Sequence, residues 1–374
     1  MGFRTIIFLA SYFFHIAIIS SEEVRNQTEL KFLITVFRHG DRTPATNEMY
    51  PNDPHATNSF YPEGPGQLTN QGKRRAYQLG QSLRNRYNDY LGDIYTPECL
   101  VARSTEYDRT KMSLQLLLAS LYPPKDVQIW NKKINWQPIP AIYVPKTEDK
   151  VFDPRSCPEF LREREAAEKT IELSERIEGF RTFMNELTEI TGKNITKPDD
   201  MYRLYHTLTA EKFMNLTLPK WTWGIFPDGK LFDATVLTYD IYSYNKIIKR
   251  LNGGQLLREI IQKLRTVESG MIEEGRKLLL YSAHEDNIAA LLATLGIYKP
   301  HVPEYSSAII FELHGKDQDY YVKIYEPQKI PGCDKLCPFH KFVDLLKDVT
   351  PSDDEKICAE EKRIEIPNEI NLKM

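Results

Sequence analysis

Residues 32–44 of this 374-residue chain read FLITVFRHGDRTP. The stretch begins with a short apolar run, Phe32–Phe37, and a charged segment, Arg38–Arg42, follows at once. Short apolar runs bounded by polar residues are typical of strands that are buried on both faces of a sheet. We therefore predict a central strand whose carboxyl end carries two arginines and a histidine.

Two further apolar runs end in the same kind of polar segment. Leu100–Ala102 leads into residues 103–105 (Arg-Ser-Thr), and Leu278–Tyr281 leads into residues 284–286 (His-Glu-Asp). Each run precedes a helical pattern, and alternating strands and helices predict an α/β sheet covered on both faces. Ligands bind beyond the carboxyl ends of strands in such sheets. If these strands are adjacent and parallel, the three polar segments converge on one crevice.

The remaining patterns complete a predicted fold. Residues 307–313 and 320–325 suggest a hairpin, and helices are predicted over 71–87, 105–121 and 287–295. Strand signals are absent from much of the middle of the chain. We predict an α/β class fold: a mixed, mainly parallel sheet flanked by helices on both faces, with a smaller, mostly helical inserted domain. The catalytic core would comprise residues 28–131 and 251–374, and the insertion residues 132–250.

The expected crevice gathers cations suited to a phosphate group, namely Arg38, Arg42 and Arg103, beside His39 and His284. Arginine forks match phosphate oxygens in bidentate geometry and stay charged at any working pH. A neutral histidine can attack phosphorus and form a covalent phosphohistidine, which water then hydrolyses. These residues predict a phosphoryl-transfer site.

The departing alkoxide needs a proton, and two adjacent carboxyl groups, Glu285 and Asp286, could supply it. A donor that must be protonated favours acid conditions. A further arginine of this region, Arg109, lies inside the predicted helix, and we interpret it as a structural residue paired with Asp108 or Glu106.

Three segments resemble the signatures of the histidine acid phosphatase family: residues 38–44, residues 103–110 and residues 282–284. Their order and spacing agree with the family over most of the chain. Residues 305–307 and 114–124 look most like the insect venom acid phosphatases. The resemblance implies a histidine phosphatase-like fold, phosphomonoester hydrolysis without a metal or other cofactor, and a possible homodimer.

By the same resemblance, His39 would be phosphorylated, while Arg38, Arg42, Arg103 and His284 would bind the phosphate. The family usually has aspartate directly after the last histidine, as the proton donor. This chain has Glu285 there, followed by Asp286, so both residues stay candidates for the donor.

Five cysteines leave one thiol unpaired. Cys333 and Cys337 lie in one loop and could close a small bridge, and Cys157 with Cys358 would form a long-range pair. The family resemblance places disulfides at these four cysteines. Cys99 lies in an apolar strand pattern and is the expected free thiol.

The beginning of the chain predicts secretion. Residues 1–21 combine one arginine, a mainly apolar run and small residues at the end, which is typical of a signal peptide. Asn26, Asn194 and Asn215 each begin an Asn-x-Thr sequon and are candidates for glycosylation. We expect an extracellular glycoprotein, rather than a lysosomal one, without a membrane segment in its mature form.

The composition is that of a globular protein, with 41% hydrophobic and 27% charged residues and a net charge of −3. Without a basic excess, a nucleic-acid partner is not expected. A small phosphomonoester is the expected substrate. Three alternatives stay open: a phosphoglycerate-mutase-like phosphotransferase, a phytase-like enzyme, and a glycoprotein that binds without turnover.

Overall fold

The computed structural model describes residues 28–325, 329–352 and 358. The predicted signal peptide and Asn26 lie outside these residues. The strands are β1 Glu29–Arg38, β2 Leu100–Ser104, β3 Ile142–Tyr143, β4 Leu278–Ala283, β5 Ala308–Lys316, β6 Asp319–Tyr325 and β7 Cys337–Pro338. The α-helices are α1 Asn70–Arg86, α2 Asn88–Leu91, α3 Asp108–Leu121, α4 Pro158–Glu168, α5 Ile171–Glu178, α6 Arg181–Thr191, α7 Pro198–Phe213, α8 Lys230–Ile241, α9 Lys246–Leu251, α10 Gly253–Glu268, α11 Glu285–Thr294 and α12 Phe339–Leu346.

The strands form one mixed sheet in the order β3-β2-β4-β1-β5-β6-β7. Strands β1 to β4 run parallel to one another, whereas β5, β6 and β7 each pair antiparallel with the preceding neighbour in that order. The predicted hairpin is present as β5 and β6. The α/β fold class is therefore confirmed, and the three strands with polar carboxyl ends lie side by side.

The Phe32–Phe37 part of strand β1 is mainly apolar because helices cover both of its faces. Phe32, Ile34 and Val36 share one buried cluster with residues of α10, α11 and α12, whereas Leu33 and Phe37 share another with residues of α1 and α3. This alternation follows from the two-residue period of a strand. Burying one such side chain stabilises the fold by about 1.5–3 kcal/mol. The sheet thus has helices on both faces, as predicted.

The chain between β3 and β4 is helical and contains α4 to α10. It has apolar clusters of its own; one of them joins Met201, Leu204 and Leu208 of α7 to Leu231 of α8. Strand β3 falls inside the range predicted for the insertion, so the sheet takes one short strand from it. The division into a core and an inserted domain otherwise stays a prediction. Within the described ranges, no helix is long and apolar enough to cross a membrane.

Two disulfides join the cysteines that the sequence paired. Cys157 is bonded to Cys358, and Cys333 is bonded to Cys337. Cys99 is free and buried, as expected. The long-range bond ties the start of α4 to a residue near the end of the chain.

A buried pair of carboxyl groups lies between α7 and the loop after β1. Glu211 is fully buried, Asp53 is 7% exposed, and neither Glu211 oxygen accepts a hydrogen bond within the described residues. Burial, followed by the neighbouring Asp53 carboxyl, raises the pKa of Glu211 to about 9. The folded state therefore binds a proton here more tightly than the unfolded chain does.

This pair predicts that the protein loses stability between pH 4.5 and 7.5. The contribution of Glu211 is complete below its unfolded pKa and falls as the pH rises toward its folded pKa, so Glu211→Gln is expected to recover about 1–3 kcal/mol of unfolding free energy at pH 7.5. Thermal unfolding at both pH values measures this difference. The exposed Glu189→Gln is the matched control. Equal losses of stability in the wild type and Glu211→Gln between the two pH values would contradict the assignment.

Candidate active site

The carboxyl ends of β1, β2 and β4 meet at one edge of the sheet. Arg38 is in register with Ala283, and Ser104 is in register with Ser282. The backbone N–H of His39 donates to Ala283, at 3.0 Å. Segments that lie far apart in the sequence therefore converge here, as predicted.

His39 is fully buried at the end of β1. Its Nδ1 lies 2.7 Å from the carbonyl oxygen of Gly40. A carbonyl can only accept a hydrogen bond, so Nδ1 carries the proton and Nε2 has the free lone pair. Gly40 itself is required because a Cβ there would lie 2.3 Å from the carbonyl oxygen of Gly72. The backbone thus fixes both the position and the tautomer of the ring.

The surroundings of His39 keep the ring neutral. Burial, followed by the cations Arg109 and Arg38, holds the pKa of His39 well below its usual range. The Nε of Arg109 donates to Nε2 of His39 at 3.1 Å. The lone pair of the neutral imidazole therefore faces a guanidinium. An anion bound by that guanidinium would lie next to this lone pair.

Three arginines lie around this ring. Arg38 forms an ion pair with Glu285 at 3.2 Å and lies over the Tyr305 ring, with 4.0 Å between the guanidinium carbon and the ring centroid. Arg42 forms an ion pair with Glu48 at 2.8 Å. The Nη2 of Arg38 and the Nε of Arg42 are buried without a hydrogen-bond partner in the described part of the chain. Buried donors of this kind indicate that an anion completes the site.

The third arginine is Arg109 and not Arg103, which corrects the prediction for both residues. Arg103 is held elsewhere, by Asp149 at 2.8 Å and by Glu259 at 3.0 Å. Successive side chains of a strand point to opposite faces, and the side chain of Arg103 lies on the face that α10 covers. The structural ion-pair role that the sequence suggested for Arg109 thus fits Arg103.

Arg109 is available because α3 begins at Asp108, three residues later than predicted, so that Arg109 lies in the first helical turn. Besides His39, its Nη2 lies 3.5 Å from Nδ1 of His284. No carboxylate pairs with Arg109 among the residues that the structure describes. Burial and the nearby Arg42 lower the pKa of Arg109. A bound anion would offset the electrostatic repulsion between Arg109 and Arg42.

His284 lies opposite His39, with the ring centroids 5.4 Å apart. Its Nε2 is 2.9 Å from the Thr105 hydroxyl, which donates to the hydroxyl of Thr110 at 2.9 Å. The Thr110 hydroxyl in turn donates to the carbonyl oxygen of Tyr107 at 2.7 Å. The Thr105 proton is therefore committed, so Nε2 of His284 must donate, and Nδ1 faces Arg109 with its lone pair.

The two candidate proton donors have different surroundings. Glu285 is 6% exposed, and its Oε1 accepts a hydrogen bond from Tyr202. Burial raises the pKa of Glu285, but Arg38 and then His206 oppose this effect and hold it well below its usual range. The carboxylate is thus charged while it is paired with Arg38.

Asp286 faces a different group, Arg155, at 3.7 Å. Burial raises the pKa of Asp286 to about 6, although Arg155 opposes the shift. Its side chain also accepts from the backbone N–H of Asn287, at 2.9 Å. Of the two carboxyl groups, Glu285 is the one that contacts the arginine cluster.

Three residues of this site were missed in the sequence. Tyr202 and His206 of α7 contact Glu285, and Tyr305 lies beneath Arg38, with its ring centroid 5.8 Å from that of His39. Tyr202 and His206 follow no apolar strand and belong to no recognised segment, so no local signal marks them. Tyr305 lies in residues 305–307, which carry part of the family resemblance, but no role in the site was predicted for it from the sequence. Elsewhere, Asn194 and Asn215 are exposed, and their glycosylation stays a prediction.

A family model and the similar proteins of known activity identify the same family. Residues 29–325 match the model of the histidine phosphatase superfamily (branch 2). The chain is 48% identical to venom acid phosphatase Acph-1 of Apis mellifera over 356 residues, which cover 92% of each chain. It is 34% identical to prostatic acid phosphatase of Homo sapiens, over 88% of each chain.

Solved structures share the fold at lower sequence identity. The apo phytase of Hafnia alvei superposes with a TM-score of 0.66 and 17% identity, over 90% of this chain and 99% of the phytase. At that identity, the likeness concerns the fold alone.

Proposed function

The chain belongs to the histidine phosphatase superfamily (branch 2), and on this premise we propose that it is an acid phosphatase that hydrolyses phosphate monoesters through a phosphohistidine on His39. The proposal rests mainly on one observation. Nε2 of His39, which has the free lone pair, lies 3.1 Å from Nε of Arg109 in a cluster of three arginines. The named relatives, which are acid phosphatases, support the same activity.

In the first step, Arg38, Arg42 and Arg109 bind the phosphate oxygens of the ester. Nε2 of His39 attacks phosphorus, the N–P bond forms, and the bond from phosphorus to the ester oxygen breaks. Charge spread over the equatorial oxygens is stabilised by the fixed guanidinium groups. As the phosphate dianion binds, Nδ1 of His284 takes up a proton from solvent, and the resulting N–H donates a hydrogen bond to a further phosphate oxygen.

Glu285 is the proposed donor of the proton that the leaving alkoxide takes. Its carboxylate pairs with Arg38 at 3.2 Å, and a bound phosphate dianion competes for that cation. Loss of this pairing raises the pKa of Glu285, so the carboxyl group takes up a proton as the ester binds. In the second step, water attacks phosphorus, gives its proton to Glu285, and breaks the N–P bond.

The pKa directions support activity in acid. Burial and the neighbouring arginines hold the pKa of His39 well below its usual range, so the nucleophile stays neutral at acid pH. Glu285 must be protonated, so activity falls as the pH rises through the pKa that it has in the complex. We further propose a secreted protein that acts without a metal ion; the venom relative supports secretion, and lysosomal relatives are also similar.

The test of this function is hydrolysis of nitrophenyl phosphate and of an alkyl phosphate from pH 3 to 8, each measured with and without EDTA. The wild type is expected to turn over at acid pH. With the alkyl phosphate, whose leaving alkoxide needs the proton, Glu285→Gln is expected to lower kcat by about 10²-fold or more because the amide cannot give a proton. Asp286→Asn, the neighbouring matched variant, is expected to stay within about tenfold of the wild type.

The outcomes separate the alternatives. If Asp286→Asn is the slow variant, the donor is Asp286 and only that assignment changes. A wild type that is inert at every pH, with and without EDTA, would overturn the phosphatase proposal in favour of a binding glycoprotein. Activity that EDTA removes would overturn the metal-independent mechanism.

A further inference from the structure

One fully buried imidazole lies directly behind the proposed proton donor. His206 belongs to α7, and its Nε2 is 3.4 Å from Oε1 of Glu285. Tyr202, four residues earlier on the same helix, donates its hydroxyl to that same oxygen. Residues four apart lie on one face of a helix. Two side chains of α7 therefore point at one carboxylate oxygen of α11.

Among the residues that the structure describes, the ring of His206 has no polar contact other than Glu285. Neither of its nitrogens has a hydrogen-bond partner within the described residues. Its neighbours are aromatic edges, with ring centroids 4.4 Å away for Tyr202 and 5.7 Å away for Tyr205. A buried polar group without a partner destabilises a fold, and a phenylalanine of similar shape would avoid that penalty. Stability alone therefore gives no reason for an imidazole at this position.

The charge on His206 follows from the groups that face it. These are Glu285 from α11, Arg38 and Arg42 from β1 and the loop after it, and Glu48 from the same loop. Burial, more than these charges, lowers the pKa of His206 to about 4. The ring is thus neutral over most of the acid range, with one N–H to donate.

We propose that His206 is a positioning residue for the proton donor, whose Nε2–H binds the Glu285 carboxylate formed as the proton leaves. The inference rests on the proposed phosphatase function and deepens it. When Glu285 gives its proton to the alkoxide, the new negative charge lies on a carboxylate that Tyr202 and His206 face from α7. A hydrogen bond to that charged form makes the carboxyl a stronger acid.

The arrangement also accounts for a glutamate at this position. The family resemblance gives aspartate here, and glutamate is longer by one methylene group. The longer side chain reaches back to α7, where Tyr202 and His206 anchor its Oε1, while Oε2 stays 3.2 Å from Arg38. The two oxygens are thus held by different elements, which fixes the orientation of the carboxyl group.

The test compares His206→Phe with His206→Gln, because glutamine keeps an N–H near the position of Nε2. Substrates are an alkyl phosphate, whose alkoxide needs the proton, and nitrophenyl phosphate, whose phenolate hardly needs it. His206→Phe is expected to lower kcat for the alkyl ester by about tenfold or more, and for the aryl ester by less than about threefold. His206→Gln is expected to restore most of the lost rate.

The pH profile gives an independent readout. The alkaline limb of kcat for the alkyl ester, which reports the enzyme–substrate complex, is expected to move up by about one pH unit in His206→Phe, because the carboxylate loses a charge-assisted hydrogen bond. The groups that face Glu285 and must be unchanged in these variants are Arg38, His39, Tyr202, Tyr239, His284 and Asp286. Thermal unfolding is expected to show His206→Phe at least as stable as the wild type.

Each outcome bears on one claim. An active wild type whose alkyl and aryl rates fall equally in His206→Phe would overturn the positioning role and leave the phosphatase function intact. The same holds if the alkaline limb does not move. A double-mutant cycle with Glu285→Asp checks the link, because the shorter side chain is expected to make the second substitution nearly silent. Full additivity of the two changes would also overturn the proposal.

Discussion

Alanine at position 39 is expected to abolish turnover of phosphate monoesters, with kcat falling by at least about 10⁴-fold. The other neutral imidazole at the arginine cluster, His284, is held by Thr105 through Nε2, and in the proposed mechanism its Nδ1 is protonated and binds the phosphate, so it is not expected to replace His39 as the nucleophile. The remaining arginines would still bind a phosphate ester, so KM or inhibition by inorganic phosphate is expected to change far less than kcat.

Two measurements check this prediction. Steady-state hydrolysis of nitrophenyl phosphate gives kcat, and rapid quenching into base followed by mass spectrometry gives the phosphoenzyme, because a phosphohistidine survives base and is cleaved by acid. The wild type is expected to carry one phosphate on His39, and His39→Ala none. His340→Ala, an exposed histidine on α12, is the matched control with wild-type kinetics. Turnover retained in His39→Ala, or a phosphate on another residue, would contradict the mechanism.

The sequence predicted the scaffold of this site because the scaffold depends on local patterns. Strand β1 is buried on both faces, so its apolar run stands out, and the polar residues that follow it must lie at the strand end. The position of His39 follows from that rule. The same reasoning located His284 after β4, and the structure brings the two rings within 5.4 Å.

The sequence failed where the answer depends on which way a side chain points. Arg103 and Arg109 lie in one short segment, and both are suited to a phosphate. Which of them faces the site depends on where β2 ends and on where α3 begins, and α3 begins at Asp108, three residues later than predicted. Element ends are the least certain part of any pattern-based prediction.

Residues supplied by α7 were beyond prediction for a different reason. Tyr202 and His206 precede Glu285 by about 80 positions and reach it only through the packing of the helical region on the sheet. Their spacing of four marks a shared helix face, but many such pairs occur on any helix. Likewise, the sequence places Glu285 at the position of the family's donor and keeps Asp286 as the alternative, and their surroundings differ only when Arg38 and Arg155 become their partners.

The second large effect is expected at Arg109, where methionine should lower kcat/KM by about 10²–10³-fold. The guanidinium donates to His39 Nε2 at 3.1 Å, so it lies where phosphate oxygens must be held during attack. Its loss removes a charge that stabilises the transition state, and weaker inhibition by inorganic phosphate should accompany the slower turnover. Methionine preserves the unbranched apolar stem of the side chain beside the Tyr107 ring, so folding is expected to be normal.

Arg103→Met is the matched comparison and should have the opposite profile. Its guanidinium joins Asp149 and Glu259, and removing it leaves a buried carboxylate without its partner, which costs about 3–5 kcal/mol in stability. Activity of the folded protein is expected to stay within about tenfold of the wild type, and Arg103→Lys should recover part of the stability. Steady-state kinetics and thermal unfolding of the three variants, measured at one acid pH, separate the two roles.

The reverse pattern would restore the assignment made from the sequence. If Arg103→Met lost the larger share of kcat/KM while remaining folded, and Arg109→Met lost mainly stability, Arg103 would be the phosphate ligand. The contacts of the two residues predict distinct effects. Arg103 pairs with the carboxylates of Asp149 and Glu259, whereas Arg109 contacts the imidazoles of His39 and His284. Because no carboxylate forms an ion pair with Arg109 in the described part of the chain, an anion bound beside His39 and His284 would be its direct charge partner.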